Sequence, residues 1–113
     1  MAERMGSKPK ILVVDDDASC RDLLKNLLTA EGYTVVEATD GEQAIGMVRE
    51  SPPDCLVCDV VLPTVDGYEV CRQLKADEAT RLIPVVIVTG LGDLKHKLDA
   101  LEAGADDFLP KPI

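Results

Sequence analysis

Apolar and polar positions along the chain fall into two alternating patterns, which predict a regular succession of strands and helices. Short runs rich in β-branched residues predict five strands, at residues 11–14, 34–36, 55–58, 85–88 and 107–109. Between them, apolar residues recur at helical spacing; in the first predicted helix they are Cys20, Leu23, Leu24, Leu27 and Leu28. Strands that alternate with helices at this interval are typical of an α/β fold with a parallel sheet.

The same patterns predict which residues face the core. The first and fourth strand runs are apolar on consecutive positions, which indicates burial on both faces. Helical spacing places these residues inward in the later helices: Ala44, Ile45 and Val48; Gly67, Val70, Cys71 and Leu74; Leu94, Leu98 and Leu101. Asp17 predicts an N-cap for the first helix, and residues 39–43 predict a capping box for the second. Gly32 and Gly104 predict left-handed helix ends.

Length and charge narrow the function classes. The 113 residues suffice for one domain, which leaves no room for a separate catalytic lobe. With 12 basic and 21 acidic residues the net charge is −9, so a nucleic-acid surface, which needs clustered basic residues, is not expected. No apolar run approaches the roughly 20 residues that span a bilayer. We therefore expect a cytoplasmic protein that makes no membrane contact.

The four cysteines do not indicate disulfides or a metal site. Cys20 and Cys71 occupy predicted core-facing positions on helices. Cys55 and Cys58 form a Cys-x-x-Cys pattern inside a predicted strand, where residues three apart point to opposite faces. We therefore expect free thiols and reject a redox or zinc role for this pattern.

Polar residues stand at the carboxyl ends of four predicted strands, where open parallel sheets bind their ligands. They are Asp15, Asp16 and Asp17 after the first strand, Asp59 after the third, Thr89 at the end of the fourth, and Lys111 after the fifth. Taken singly, such an acid is more often a solvated loop residue or a helix cap. We predict a site here because polar residues stand at the carboxyl ends of four strands at once.

The chemistry of these residues suits a phosphoryl group. Clustered carboxylates repel one another, and a hard divalent cation such as Mg²⁺ neutralises them with oxygen ligands. A lysine and a threonine beside such an ion match the needs of phosphoryl transfer. The carboxylate of Asp59 is then a candidate nucleophile that forms an aspartyl phosphate.

Five segments in this order resemble the receiver domains of two-component response regulators. They are ILVVDDD at 11–17, LVCDVVLP at 56–63, DGYE at 66–69, IPVVIVTG at 83–90 and GADDFLPKP at 104–112. The resemblance extends over residues 10–113. It implies a flavodoxin-like, doubly wound, five-stranded parallel sheet in the strand order 2-1-3-4-5.

The resemblance also implies roles for individual residues. Asp59 would accept a phosphoryl group from a sensor histidine kinase or a phosphotransfer protein. Mg²⁺ would be bound by Asp15, Asp16 and Asp59, together with the backbone carbonyl of Val61. Lys111 would contact the phosphoryl oxygens.

Two further residues correspond to the family's conformational switch. Thr89 stands at the position of the switch hydroxyl, and Phe108 at that of the switch aromatic residue. The resemblance thus implies a signalling domain that changes conformation to control an output domain or partner. It would not be an enzyme acting on an outside metabolite, although it would assist its own phosphorylation and dephosphorylation.

The first nine residues and the end of the chain after the fifth predicted strand lead to two further expectations. Residues 1–9 are polar and predict a flexible lead-in, and residues 10–113 are expected to form a receiver domain truncated after the fifth strand. Because family members carry a fifth helix there, we expect an exposed aliphatic patch beside Val88 and Phe108. A marginally stable domain or a homodimer that buries this patch is the expected consequence.

Two other functions are weighed against this hypothesis. One is an interaction module whose site is vestigial, which the complete set of site residues argues against. The other is a phosphatase with an aspartyl intermediate. Such enzymes carry an Asp-x-Asp nucleophile motif and a cap insertion, whereas residues 59–61 read Asp-Val-Val and the chain has no room for a cap.

Overall fold

The structure, a computed structural model, describes residues 8–90 and 94–111, with only the backbone at residues 94–96. Strands and helices alternate along these residues, as predicted. The strands are β1 (Lys10–Val14), β2 (Thr34–Ala38), β3 (Cys55–Asp59), β4 (Val85–Thr89) and β5 (Asp107–Pro110). The helices are α1 (Ala18–Ala30), α2 (Gly41–Glu50), α3 (Gly67–Ala76) and α4 (Leu94–Glu102). Of the expected lead-in, residues 1–7 lie outside the described part of the chain.

All the strands lie parallel in one sheet, in the order β2-β1-β3-β4-β5. This confirms the predicted flavodoxin-like fold class. The direction of winding reverses between β1 and β3, which are paired in the middle of the sheet through Leu12 and Leu56. In such folds the carboxyl ends of the two strands at this reversal border the ligand crevice.

The helices cover the two faces of the sheet unequally. On one face, α2, α3 and α4 enclose the larger apolar cluster, which includes Leu56 and Ile87. On the other face, α1 packs through Leu24 onto Ile11 and Val13. The consecutive burial of β1 on both faces follows from this arrangement and confirms the prediction from its apolar run.

Aspartate residues are the N-caps of three helices, α1, α2 and α3. Asp17 accepts a hydrogen bond from the Ser19 amide at 2.9 Å, which confirms the predicted N-cap of α1. Asp66 accepts from the Glu69 amide at 2.8 Å at the start of α3. These carboxylates satisfy amides that have no partner within the helix and lie at its positive end.

The capping box predicted for residues 39–43 is present in a modified form. Asp40 is the N-cap of α2, and its carboxylate accepts from the Gln43 amide at 2.8 Å. The reciprocal bond reaches one residue further back, since the Gln43 side chain accepts from the Thr39 amide at 2.7 Å. Gly32 and Gly104 have φ angles of 95° and 92°, so the predicted left-handed positions after α1 and α4 are confirmed.

The inward faces of α2 and α3 are buried as predicted, but those of α1 and α4 differ from the prediction. In α1, Leu23 and Leu27 are exposed and Leu24 is buried. The surface of α1 that contacts the sheet is narrower than the apolar face of the helix. In α4, Leu98 and Leu101 are exposed, and Ala100 of the helix and Ala103 directly after it pack in the core instead. The side chain of Leu94 lies outside the described residues.

The aliphatic patch expected beside Val88 and Phe108 is present only in part, because neither of these two residues contributes to it and the exposed residue is their neighbour Leu109. Val88 is only 2% exposed, and Phe108 packs against the larger core cluster on the α4 side. The exposed apolar residue of β5 is Leu109, which pairs with Val88 and so lies on the same face of the sheet as α1. Within the described residues, that face carries the exposed leucines Leu23, Leu27 and Leu109.

The cysteines are free, as expected. Cys55 packs into the cluster under α1, whereas Cys58 is buried in the cluster on the opposite face. Burial raises the pKa of both thiols, so neither favours the thiolate that redox chemistry or zinc binding needs. No helix in the described part of the chain combines the length and apolarity needed to cross a bilayer.

Lys75, at the end of α3, joins three chain segments. Its ammonium donates to the carbonyls of Arg81 and Ile83 at 3.2 and 2.8 Å, and to the carboxylate of Asp106 at 2.8 Å. The same Asp106 oxygen accepts the amide of Val85, the first residue of β4, at 2.8 Å. The loop before β5 is therefore tied to both α3 and β4.

Asp106→Asn tests the contribution of this junction. Partial burial raises the pKa of Asp106, but the bonds from Lys75 and the Val85 amide outweigh it and lower the pKa below the usual 3.8. The charge therefore stabilises the folded chain at neutral pH, and this contribution is lost as the pH falls below about 4. We expect Asp106→Asn to lower the free energy of unfolding by about 1 kcal/mol at pH 7.

Urea unfolding at several pH values measures this effect. The control is Asp107→Asn, since within residues 8–90 and 94–111 the Asp107 carboxylate bonds only to the amide of Phe108. A deficit that is equal for both variants, or that persists unchanged at acid pH, would show that the junction is not stabilising.

Candidate functional site

The sheet brings the predicted site residues to one edge. Asp59 and Thr89 are the last residues of β3 and β4, Asp15 directly follows β1, and Lys111 directly follows β5. Asp15, Asp59 and Thr89 are 2%, 8% and 1% exposed, so three polar side chains are buried at the carboxyl ends of strands. Buried polar groups are costly unless they are hydrogen-bonded or paired, which makes their partners decisive.

Lys111 lies between the two buried carboxylates. Its ammonium is 3.1 Å from Asp15 Oδ2 and 3.2 Å from Asp59 Oδ2. The backbone amide of Lys111 donates to the Thr89 carbonyl at 2.8 Å, which extends the β4–β5 ladder and fixes where the side chain starts. The second oxygen of Asp59 accepts the Val60 amide at 2.9 Å, leaving Oδ2 directed at the ammonium.

Asp16 completes a cluster of three acids. One carboxylate oxygen from each of Asp15, Asp16 and Asp59 lies within 4.8 Å of the others. Asp16 is exposed, so the cluster opens to solvent on its side. Three oxygen ligands and an open side match the preference of Mg²⁺, which binds a few carboxylates and keeps several waters. The donor set therefore fits the predicted ion.

The acids are more crowded than one lysine can neutralise. Burial raises the pKa of Asp59, and the negative charge of Asp15 raises it further; the bonds from Lys111 and Val60 do not outweigh these effects. Burial alone would lower the pKa of Lys111, but its two carboxylate partners raise it above the usual value. The ammonium is therefore permanently charged, and a net negative charge remains for a cation to balance.

Cys20 and Arg21 belong to the site, although sequence reasoning did not assign them to it. The Cys20 side chain hydrogen-bonds to Asp15, and this bond, with those from the Asp17 amide and Lys111, lowers the pKa of Asp15 despite its burial. Burial and Asp15 together raise the pKa of Cys20 to about 11, so its thiol stays protonated and donates. Arg21 donates to the Asp15 carbonyl at 2.8 Å. Their position one turn into the helix after Asp15 is the signal that could have revealed them.

The remaining predicted residues, Val61 and Phe108, lie after β3 and on β5. Val61 is 63% exposed, two residues after Asp59. Phe108 is half-buried and pairs in the sheet with Ile87, two residues before Thr89. The structure thus places all the candidate residues on β1, β3, β4 and β5 or directly after them.

Comparison with known proteins identifies the family that this arrangement is similar to. The model of the response regulator receiver domain matches residues 11–113. The response regulator PleD of Caulobacter vibrioides is 48% identical over 104 residues, which are 92% of this chain and 23% of that protein. The DNA-binding dual master transcriptional regulator RpaA of Synechocystis is 41% identical over 105 residues, 93% of this chain and 44% of that protein. The chain therefore spans less than half the length of these two relatives.

A solved structure shows the same fold with an ion. The receiver domain of the sensor histidine kinase PA1611 from Pseudomonas aeruginosa superimposes with a TM-score of 0.87 at 30% identity. The match covers 95% of this chain and 88% of that chain, and that structure contains a magnesium ion coordinated in the active-site cleft.

The substitution Asp59→Asn tests whether the crowded negative charges of the site destabilise the folded chain. Because the folded pKa of Asp59 lies above the usual 3.8, its ionisation costs more in the folded than in the unfolded chain. The penalty is complete at pH 7 and fades as the pH approaches about 4. We expect Asp59→Asn to raise the free energy of unfolding at pH 7 without divalent ions by about 1 kcal/mol, the order of one close interaction between like charges in a solvent-screened site.

Urea unfolding in a chelating buffer measures this gain. Asp22→Asn is the control, because it removes the same charge from an exposed position on α1. Adding Mg²⁺ should stabilise the wild type and leave Asp59→Asn nearly unchanged. A variant less stable than the wild type at pH 7 would contradict the crowding argument.

Proposed function

The chain belongs to the response regulator receiver domain family, and we propose that Asp59 is its phosphoacceptor. The observation that carries this proposal is the pair of distances from the Lys111 ammonium to Asp15 and Asp59, 3.1 and 3.2 Å. They hold a buried carboxylate oxygen beside a fixed positive charge at the ligand-binding edge of the sheet. The donor would be a histidine kinase or a phosphotransfer protein, the partners of this family.

The proposed reaction is a transfer of one phosphoryl group. An oxygen of ionised Asp59 forms a bond to phosphorus while the bond from phosphorus to the donor's histidine nitrogen breaks. The electron pair of that bond stays on the imidazole, which takes up a proton. Lys111, already between Asp15 and Asp59, supplies positive charge for the phosphoryl oxygens without having to reorganise.

Asp15, Asp16 and Asp59, with the backbone carbonyl of Val61, would bind Mg²⁺. The bound ion would supply positive charge for the transferring group. Support comes from the three clustered carboxylates of this chain and from the magnesium ion in the related PA1611 receiver domain. The residues of this chain orient the nucleophile and compensate charge.

We propose that Thr89 and Phe108 pass the phosphorylation signal to the surface. Thr89 ends β4 beside the acid cluster, and Phe108 lies on the adjacent strand opposite Ile87. A change at the Thr89 side chain can therefore reach the packing of Phe108 through two paired strands. Since PleD and RpaA are more than twice as long as this chain, the recipient is proposed to be an output domain or a separate partner.

The free cysteines agree with a cytoplasmic setting.

Phosphate uptake tests the assignment of Asp59. With Mg²⁺ and acetyl phosphate, we expect the wild type to gain one phosphoryl group by intact mass, in the hydroxylamine-labile form typical of an acyl phosphate. Asp59→Asn should gain none, because an amide lacks the nucleophilic oxygen. Asp16→Asn should slow uptake because it weakens binding of the ion.

Asp22→Asn, an exposed acid on α1, serves as the control and should behave as the wild type. Uptake by Asp59→Asn at the wild-type rate would refute the assignment. No uptake by the wild type would favour an interaction module with a vestigial site.

We further propose that the 113-residue chain self-associates through the side of the molecule on which α1 covers the sheet. Leu23, Leu27 and Leu109 are exposed there, and an exposed apolar surface favours association. Sedimentation velocity should show a concentration-dependent dimer. The double variant Leu23→Ser, Leu109→Ser should shift it towards monomer, whereas Leu82→Ser, at an exposed turn outside this face, should not. A wild type that stays monomeric at high concentration would contradict this proposal.

A further inference from the structure

The loop between β3 and α3, residues 60–66, connects the phosphoacceptor to the next helix. At its start, the Val60 amide donates to the Val88 carbonyl at 3.2 Å, and the Val60 carbonyl accepts the Gly67 amide at 2.8 Å. Further along, Leu62 and Val65 pack against the larger core cluster. Most of the loop is therefore held by bonds or packing.

Val61 is the exception within this loop. Its side chain is 63% exposed, so packing does little to hold it. The direction of its backbone carbonyl, the expected fourth protein ligand of the metal, therefore depends on how firmly the residues on either side are held. Val60 is fixed by the sheet, which leaves the other side to residues 62–64.

Thr64 has an unusual backbone conformation. Its φ is 70°, and it is the one non-glycine residue with positive φ among those that the structure describes. A β-branched side chain disfavours this left-handed region strongly, so the conformation persists only where other contacts impose it.

The contacts that impose it come from the first turn of α2. The Glu42 amide donates to the Thr64 hydroxyl at 3.2 Å, and the Gly41 amide donates to the Pro63 carbonyl at 3.3 Å. Asp40 already caps the Gln43 amide. The loop thus satisfies two of the amides that a helix leaves free at its start.

The loop also lies against the backbone of α2. A Cβ atom on Gly41 would overlap the carbonyl oxygen and the side chain of Val65, so only glycine permits this approach. The hydroxyl of Thr64 is therefore held at hydrogen-bonding distance from α2 by contacts on both sides of it.

We propose that Thr64 is a positioning residue for the metal site. Its hydroxyl bond to the Glu42 amide holds the positive-φ turn, and the turn fixes the direction of the Val61 carbonyl three residues earlier. This inference rests on the proposed function, since it assumes that the acid cluster and Val61 bind Mg²⁺.

The test compares Thr64→Val with Thr64→Ser in the unphosphorylated 113-residue chain, by calorimetric titration with Mg²⁺. Valine keeps the branched shape and removes the acceptor, so we expect the Kd for Mg²⁺ to rise about 3- to 10-fold, the effect of one hydrogen bond. Serine keeps the acceptor and should stay within about twofold of the wild type.

Thr39→Val is the matched control. The Thr39 hydroxyl bonds to the Gln43 side chain at 3.1 Å, at the same end of α2 but away from the loop. We expect it to leave the Kd for Mg²⁺ unchanged. Thr64→Gly is a second variant that folds without backbone strain, and it should weaken Mg²⁺ binding as Thr64→Val does.

Each outcome decides between the two proposals. If the wild type does not bind Mg²⁺, the proposed function and this inference both fail. If the wild type binds but Thr64→Val and Thr64→Gly bind equally well, the inference alone is wrong. An equal rise in Kd for Thr39→Val, or a loss of thermal stability in Thr64→Val with an unchanged Kd, would show that Thr64 serves only the helix end.

Discussion

The repulsion between buried carboxylates at one edge of the sheet is the constraint on which the site depends. Asp15 and Asp59 are almost fully buried, and both point at the single ammonium of Lys111. One positive charge cannot balance them together with Asp16, so the folded chain holds excess negative charge at a fixed place. A hydrophobic core would gain nothing from this arrangement, which is why it indicates function more strongly than the fold does.

The rest of the molecule makes this crowding possible. A parallel sheet brings the carboxyl ends of its strands to one edge, and residues far apart in the chain meet there without any local motif. Lys111 reaches Asp15 across 96 positions of sequence because β5 and β1 run in the same direction. Burial of β1 and β4 in the core holds these ends rigidly, so the acids cannot separate to relieve their repulsion.

Periodicity and strand-end chemistry predicted most of this from sequence, and the failures have physical causes. The strand order came from the resemblance, and the acid cluster from asking what stands at each strand end. The inward face of α1 was predicted only in part, and that of α4 was wrong at Leu98 and Leu101, because the spacing of leucines does not reveal how wide the contact with the sheet is. Cys20 packs against the smaller core cluster as predicted, but its hydrogen bond to Asp15 was missed, because such a bond leaves no trace in an apolar pattern.

Thr64 shows the same limit at the level of the backbone. Threonine does not predict a left-handed residue, so no sequence rule places a turn of positive φ there. The conformation arises from tertiary contacts: Gly41 allows the loop to approach α2, and the amides of α2 need acceptors that the loop provides. Local preference is overruled where the surrounding structure demands it, and this happens in the loop that follows Asp59. The departure from local rules and the excess of charge thus meet at the same edge, which is the place where the proposed function requires a cation and a phosphoryl group to bind.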